Sequence, residues 1–534
     1  MSGQGAHGAA PDAPDAPDAP VDLLPPSPLA RLRTWLGPPA SLRITRFVVL
    51  RALGFVYFFA FLAAVQQLVP LVGEHGLEPA VDFVTRLDAA GRSFWAVPSL
   101  FRHALLGASD ATLLAASTLG LVVSALVMLG LATAPALALL WALYLSIVHI
   151  GQTWYGFGWE MQLCETGWIA VFLVGLDARP FPARPPPALA VWLLRWLAFR
   201  IMLGAGLIKW RGDPCWHALT CLDWHFETQP VPNPLSPWFH ALPHGVHAVG
   251  VVFNHVCELV LPFALFGPRR LRHVAAALMI AFQATLIASG NLAFLNWLTI
   301  VPLLACFDDR FWTWLAPRRV GAWLARRPAL PSPTRGHAVA AAVLALCVAF
   351  LSIDPVANLM SSHQRMNASF EPFQLVNTYG AFGSVGDRRF ELVIEGTLAA
   401  SADDPAAEWR AYEFPCKPGD PARAPCVLGP YHHHLDWQMW FAAMGPVEEE
   451  PWTLHLVWKL LHADRAILTR FAVDPFHGVP PRWIRIRFYR YHLAPPGAKG
   501  VWWTRELQGD WLPPVSVDTE GLRRFLIAYG WKLD

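Results

Sequence analysis

Two carboxylates that could do chemistry, Glu160 and Glu165, stand five residues apart in the stretch 156–168, which runs directly into the apolar segment 169–176. A charged side chain at the centre of a bilayer costs about 2.5–3.5 kcal/mol on insertion scales. The two carboxylates therefore predict cationic partners, a water-filled cavity or positions near the membrane surface. Structural ion pairing between helices is the first interpretation, and a catalytic or substrate-binding role is the second.

The next apolar segment supplies the nearest cations, Arg195, Arg200 and Lys209. Residues five apart on a helix lie about 140° from each other around the axis, so Glu160 and Glu165 cannot share one narrow face. The sequence predicts at least one carboxylate–guanidinium pair between adjacent segments. If the protein is an enzyme, the candidate catalytic residues are Lys209, Glu160 and Glu165. The residues predicted to form a polar network inside the membrane are Glu160, Glu165, Arg195, Arg200 and Glu258.

These side chains need a membrane domain to position them, and the composition predicts one. The chain has 534 residues, of which 54% are hydrophobic and 15% charged. This is too apolar for an ordinary soluble enzyme and typical of a multi-pass membrane protein. The formal net charge of +2 gives no reason to expect nucleic acid as a partner.

Nine apolar segments predict a membrane α-helical bundle of about eight or nine transmembrane helices within residues 41–355. Residues 1–40 are rich in Pro, Ala and Asp and predict a disordered cytoplasmic tail. Residues 360–534 predict a β-rich extramembrane domain, because 390–394 and 483–488 approximate strand alternation, with helices near 451–462 and 464–472. The predicted spans are 47–72, 111–131, 135–148, 159–176, 189–210, 246–267, 271–288, 292–307 and 337–353.

Arginine clusters predict the orientation of this bundle, because short loops rich in basic residues stay on the cytoplasmic side. With nine spans the clusters fall in alternate loops, which puts the N-terminus inside and the C-terminal domain in a lumen or periplasm. The first long loop, predicted outside, departs from this pattern because it mixes acidic residues with scattered arginines. The clusters that agree are Arg31, Arg33, Arg43 and Arg46, then Arg179 and Arg184, then Arg269, Arg270 and Arg272, then Arg310, Arg318, Arg319, Arg326, Arg327 and Arg335.

Four of the eight cysteines, Cys215, Cys221, Cys416 and Cys426, fall on the predicted outer side as two close pairs. An oxidising lumen or periplasm favours local disulfides within each pair, whereas a reducing compartment favours free thiols. No Cys-x-x-Cys spacing is present, so a cysteine zinc site is the weaker interpretation.

The run Tyr431-His432-His433-His434-Leu435-Asp436 could supply metal ligands. In an extended segment alternate side chains face opposite ways, so His432 and His434 are the two that could converge, and they are a weak metal candidate. The sequence contains no Gly-rich phosphate loop, Gly-x-Ser-x-Gly elbow or His-Glu-x-x-His motif, and it predicts no cofactor.

The stretch 155–160, Tyr-Gly-Phe-Gly-Trp-Glu, with Glu-Thr-Gly at 165–167, resembles the lipase maturation factor family. This resemblance implies a multi-pass protein of the endoplasmic reticulum membrane, or of the inner membrane in a bacterium. Its lumenal C-terminal domain would act as a chaperone that helps secreted lipases to fold and assemble, and it would not be an enzyme. The match continues in order at 200–209, 221–230, 377–385, 412–421, 435–443 and 489–491.

The segment 189–230 is also distantly similar to the membrane core of vitamin K-dependent carboxylases, in which a lysine at the position of Lys209 contributes to catalysis. This implies an alternative, an integral-membrane enzyme acting on a quinone-like lipid or a secreted polypeptide. A structural membrane scaffold is a third possibility. An enzyme requires a cavity where Lys209 and the carboxylates converge, whereas a chaperone requires an exposed apolar or aromatic surface on the C-terminal domain.

Overall fold

The computed structural model describes residues 42–326, 330 and 332–531, which belong to one compact unit. The tail predicted at residues 1–40 lies outside the described residues. The helices are α1 (Arg43–Val72), α2 (Ala80–Ala89), α3 (Asp110–Leu129), α4 (Ala134–Ile150), α5 (Gly158–Val171), α6 (Ala188–Arg211), α7 (Cys221–Thr228), α8 (Ser236–His240), α9 (His244–His255), α10 (Leu261–Ala264), α11 (Arg269–Ser289), α12 (Leu295–Leu304), α13 (Asp309–Leu315), α14 (Arg318–Ala325), α15 (Arg335–Leu351), α16 (Ile353–Met360), α17 (His434–Ala442), α18 (Pro451–Leu461), α19 (Arg465–Leu468) and α20 (Glu520–Ala528).

The C-terminal region contains an antiparallel sheet with strand order β4–β3–β5–β6 and a separate two-stranded pair, β1–β2. Both strands predicted from alternation are present, at 389–397 and 483–493, and they are paired with Val393 opposite Arg487. Helices α17 to α20 accompany the sheet. The strands are β1 (Ala368–Ser369), β2 (Asn377–Thr378), β3 (Arg389–Thr397), β4 (Arg410–Ala411), β5 (Trp483–Leu493) and β6 (Trp503–Val515).

Six helices of the described chain are long and apolar enough to cross a membrane. They are α1, α3, α6, α11 and two longer runs that join α9 to α10 and α15 to α16. Helices α4 and α12 are apolar but shorter, and the span predicted at 159–176 is the 14-residue helix α5. A membrane helical bundle is therefore present, whereas the predicted number of eight or nine spans is not established. Helix α5 is almost wholly enclosed by other helices, so its length need not match the thickness of the hydrocarbon core.

Local sequence explains how the chain reverses between α3 and α4. Gly130 has φ 125°, a conformation that costs other residues energy, and it ends α3. Thr133 then accepts a hydrogen bond at its side-chain oxygen from the Ala136 amide, 3.4 Å away, which caps α4.

The helices divide into a buried centre and an outer layer. In the most apolar stretches of α1 and α6, 56% and 61% of residues are buried, against 28% in the helix 335–360. The outer helices expose rows of apolar side chains such as Val249, Val252 and Val256. This pattern is expected where lipid covers the outer layer.

The arginine-rich loops and the C-terminal region lie at opposite ends of the bundle. At one end, the Asp309 carboxylate accepts hydrogen bonds from the Arg43 and Ile44 amides, each at 2.9 Å. At the other end, Gln67 donates to the His432 carbonyl at 2.6 Å, which ties the end of α1 to the C-terminal region.

Candidate functional site

Glu165 is the centre of a buried network that joins the bundle to the C-terminal region. Arg200 forms an ion pair with the Glu165 carboxylate, and both side chains are buried. The Asn377 amide and the Tyr379 hydroxyl donate to Glu165 Oε2 at 2.9 and 2.7 Å. Arg200 in turn donates to the Asn377 carbonyl at 2.5 Å. The structure thus contains a carboxylate–guanidinium pair between adjacent apolar helices, and the same pair holds strand β2 against the bundle.

Glu160 and Arg195 do not form the ion pairs considered for them. Glu160 is fully buried and accepts a hydrogen bond from the Tyr144 hydroxyl on α4, with no cationic partner among the described residues. Arg195 donates to the Ala305 carbonyl at 3.1 Å, near the opposite end of the bundle. The two residues stand at different depths because α5 and α6 run in opposite directions, so only Arg200 meets a carboxylate of α5.

Lys209 pairs with Glu258 and with neither carboxylate of α5. Its Nζ lies 2.5 and 2.7 Å from the two Glu258 carboxylate oxygens and 3.3 Å from Asn254 Oδ1. Glu258 is carried by a π-helical turn, Val256–Val260, between α9 and α10. The lysine is therefore held by its own set of partners, and the convergence of Lys209, Glu160 and Glu165 that an enzyme of the carboxylase type would require is not present.

Sequence reasoning missed a second buried network, which lies in the C-terminal region. Glu391 on β3 lies between Arg389, at 2.5 Å, and Lys417, at 2.6 Å. Arg389 also donates to the carbonyls of Glu227 and Gln229, at 2.8 and 2.5 Å. The sheet is thereby fixed to the last turn of α7 and to the residue that follows it. One feature of the sequence could have indicated this network. Arg389 and Glu391 have opposite charges at alternate positions of strand β3, so their side chains lie on the same face.

The two cysteine pairs predicted from spacing are joined in the structure. The Cα atoms are 4.9 Å apart in Cys215–Cys221 and 5.4 Å apart in Cys416–Cys426, within the usual disulfide range of about 4.4–6.8 Å. Asn291 donates to the Cys426 carbonyl at 2.9 Å, so the second disulfide loop touches the end of α11.

The histidine run is not extended throughout, because helix α17 begins at His434. The rings of His432 and His434 do meet, with centroids 4.2 Å apart. Burial lowers the pKa of His432 well below its usual value and that of His434 to about 3, so both rings are neutral. In the described part of the chain no three His, Cys, Asp or Glu side chains converge as metal ligands. The structure therefore offers no third ligand for the metal site considered there.

These imidazoles belong to an aromatic seam between the bundle and the C-terminal region. Trp159 packs against Phe157 with ring centroids 4.4 Å apart and against Trp437 with centroids 4.9 Å apart. Hydrogen bonds cross the same boundary, since Gln438 donates to the Thr153 carbonyl at 2.7 Å. The motif that carries the resemblance at 155–160 thus builds a large part of this seam.

A cavity of 1270 Å³ opens beside the seam. Apolar side chains on its walls remain accessible: Phe441 is 36% exposed, Met444 62% and Met366 48%. Neither Lys209, Glu160 nor Glu165 lines it. The cavity is therefore separate from these three side chains, and its lining combines exposed apolar side chains with polar groups. Its lining comes from residues 153–159, 208–213, 225–230, 362–367, 380–390, 437–444 and 449–450, together with two residues near the start of α12.

Close contact with the backbone at the C-terminal part of α6 fixes the position of residues 380–386, which line the cavity. A Cβ on Gly212 would lie 2.2 Å from the Gly383 carbonyl oxygen, and a Cβ on Gly204 would lie 2.4 Å from the Tyr379 carbonyl oxygen. Glycine at both positions lets the segment 379–383 lie directly on the C-terminal part of α6. The Asp213 amide donates to the Gly383 carbonyl at 2.9 Å and keeps it there.

Together these features define a polytopic membrane protein with an accessible cavity between its helix bundle and a C-terminal sheet region. Residues 44–314 match the model of the lipase maturation factor transmembrane domain, and residues 375–513 match that of the lipase maturation factor C-terminal domain. The chain belongs to the lipase maturation factor family. The family consists of maturation factors and not of enzymes, in agreement with the non-enzymatic role implied by the resemblance.

Named relatives align along almost the whole chain. The chain is 45% identical to lipase maturation factor 1 of Bos taurus over 95% of its own length and 96% of the relative's. It is 45% identical to lipase maturation factor 1 of Homo sapiens over 95% of each chain. Identity to lipase maturation factor 2 of Homo sapiens is 29%, over 92% of this chain and 85% of that one. No solved structure matches the chain.

Proposed function

We propose that this protein is a maturation factor for secreted lipases and that it holds a client at the cavity beside the aromatic seam. The observation that carries the proposal is the exposure of Phe441, Met444 and Met366 on the walls of one large cavity. Exposed apolar side chains gathered in a concave surface are typical of binding sites for other polypeptides. The names of its relatives supply the class of client.

We further propose that the chain crosses the membrane nine times, with the arginine-rich end of the bundle in the cytoplasm. The short helices α4, α5 and α12 then complete crossings between the six long ones. The C-terminal region and both disulfides would lie in the lumen of the endoplasmic reticulum, or in the periplasm of a bacterium. Support comes from the separation of the arginine-rich loops and the disulfide loops to opposite ends.

Reporter fusions test the orientation. A reporter that is active only outside the cytoplasm should be active when it is fused after Met360 and inactive when it is fused after Gly267. The reverse pattern at these two positions would contradict the orientation and, with it, a lumenal cavity.

Client maturation is tested in cells that lack their own lipase maturation factor. Expression of this chain should raise the specific activity of a co-expressed secreted lipase, measured as activity per mass of secreted enzyme. The double variant Phe441→Ser with Met444→Ser should lose most of that gain at equal membrane abundance. The matched control is Val427→Ser, since Val427 is 82% exposed and lies outside the cavity. If the unaltered chain is abundant in the membrane and lipase activity does not rise, the proposed function is wrong.

A further inference from the structure

We propose that the cavity binds an extended polypeptide segment carrying large apolar side chains, and that a lipid acyl chain is not its ligand. This inference rests on the proposed function and names the part of a client that the site takes. The cavity volume of 1270 Å³ exceeds the range of about 300–1,000 Å³ that suits a drug-sized ligand. A segment of several residues is the appropriate size of occupant.

The apolar side chains that line the cavity come from different parts of the chain. Phe441 and Met444 stand at the end of α17, and Met366 and Phe390 approach from the segments around β1 and β3. Methionine is unbranched and polarisable, so it adapts to side chains of different shapes. A lining with two exposed methionines suits a site that must accept varied apolar side chains.

Open backbone groups favour a polypeptide over an acyl chain. The wall segment 380–386 has no helix or strand, and no hydrogen bond among the described residues engages the amides of Ala381, Phe382, Gly383 or Ser384. These donors can bind the carbonyl groups of an extended peptide, as in other modes of recognition that use the main chain. An acyl chain has no acceptor to offer them.

Charged side chains of both signs also line the cavity. Glu449 and Glu450 contribute from the turn before α18, and Arg211 and Arg388 contribute from the end of α6 and the residue before β3. A polypeptide supplies polar and charged groups on either side of an apolar stretch, whereas a pocket for hydrocarbon needs no charged lining.

The test uses the full-length protein in phosphatidylcholine nanodiscs and a fluorescein-labelled nonapeptide in which Phe and Ser alternate. Fluorescence anisotropy should show saturable binding. The double variant Phe441→Ser with Met444→Ser should weaken that binding at least tenfold, and Met366→Ser, in the lining segment before β1, at least threefold. The control Val427→Ser should stay within twofold. If the cavity variants bind as tightly as the unaltered protein, the inference is wrong.

Two further probes separate a peptide from a lipid. Replacing alternate amides of the peptide by esters weakens its carbonyl acceptors and should lower the affinity at least fivefold. Lysophosphatidylcholine should not displace the peptide. The inference would be overturned if lysophosphatidylcholine displaced the peptide and the ester replacement left the peptide affinity unchanged.

The peptide measurement needs no lipase, so the two proposals can fail separately. If the chain raises lipase activity and the peptide does not bind, the inference is wrong and the proposed function stands. If the peptide binds with the expected dependence on the cavity variants and lipase activity never rises, the proposed function is wrong and the peptide site stands.

Discussion

Glu165 and Met444 lie on the two sides of the boundary between the helix bundle and the C-terminal region, and their surroundings differ. Glu165 is fully buried and accepts hydrogen bonds from Arg200, Asn377 and Tyr379. Met444 is 62% exposed in the cavity wall. The buried Glu165 carboxylate has charged and polar partners within the chain, whereas the cavity leaves apolar side chains exposed and is also lined by backbone amides that no described residue hydrogen-bonds. Structural roles are therefore expected for the first region and binding for the second.

The largest expected effect comes from breaking the Glu165–Arg200 pair. Removing one member of a buried pair leaves an uncompensated charge and costs about 3–5 kcal/mol, so Glu165→Gln should sharply lower the yield of folded protein. The yield is measured by size-exclusion fluorescence of a tagged chain extracted from membranes.

The double variant Glu165→Leu with Arg200→Met provides the control. It removes both charges and should recover part of the yield, although it leaves the Asn377 carbonyl without the Arg200 donor. Normal yield for Glu165→Gln combined with lost lipase maturation would instead assign Glu165 to binding, and the contrast between the two regions would be wrong.

The second prediction concerns the disulfide Cys416–Cys426, which joins residues 10 positions apart in the sequence, beside the end of α11. Disulfides typically contribute about 2–4 kcal/mol by restricting the unfolded chain. Replacing both cysteines by serine should lower the thermal unfolding temperature in detergent. Dithiothreitol should lower that of the unaltered protein and leave that of the variant much less changed. Equal sensitivity of the two proteins to the reductant would contradict the prediction.

Much of the fold was predictable, because apolar runs and strand alternation report local structure. The long helices α1, α3, α6 and α11 and the strands β3 and β5 all follow from such patterns. The start of α17 was missed, since three histidines and an aspartate give no periodic signal. The number of membrane spans could not be predicted from the apolar segments either, because a short helix enclosed by protein and a short helix crossing lipid have the same composition.

The candidate site was predictable only where opposite charges lie on neighbouring segments. Glu165 and Arg200 met that condition, and Lys209 and Glu258 were singled out without being matched. The partner of Glu160 was not foreseeable, since Tyr144 is one aromatic residue among many in an apolar helix. Arg389 binds carbonyl groups about 160 residues away, and the cavity assembles several distant segments. Such arrangements depend on tertiary packing, which a single sequence does not display.

A smaller, pH-dependent effect is expected where the loop after α1 meets α18. Burial, aided by the nearby Glu450 carboxylate, raises the pKa of Glu78 from its ordinary 4.5 to about 7. Between these values the folded chain holds a proton that the unfolded chain releases, so the Glu78 contribution to stability is present below pH 4.5 and is lost as the pH rises toward 7. Glutamine does not titrate, so Glu78→Gln removes the loss of stability that the unaltered protein shows as the pH rises. Its unfolding temperature, relative to the unaltered protein, should therefore be higher at pH 8 than at pH 5.

His455, which bonds the Leu77 carbonyl at 2.7 Å, acts in the opposite sense and serves as the internal comparison. Burial lowers its pKa from 6.5 to about 4, so its contribution is lost as the pH falls through that range. His455→Gln should be more favourable at pH 5 than at pH 8, again relative to the unaltered protein. If the difference in unfolding temperature between each variant and the unaltered protein did not change with pH, the pKa values of Glu78 and His455 would be the same in the folded and unfolded chains, and the prediction would be wrong.

The smallest expected effect on stability comes from the cavity wall itself, and it sharpens the contrast with Glu165 most directly. Met444 is more than half exposed, and surface substitutions away from packed features usually change stability by no more than about 0.5 kcal/mol. Met444→Ser should therefore leave the unfolding temperature in detergent within about 2 °C of the unaltered protein. The same variant should reduce the gain in lipase specific activity, because the cavity loses one of its adaptable apolar contacts. Val427→Ser should change neither quantity, since it alters exposed apolar surface outside the cavity. A large fall in the unfolding temperature of Met444→Ser would show that this part of the cavity is needed for stability. Unchanged lipase maturation in the same variant would show that clients do not bind at the cavity.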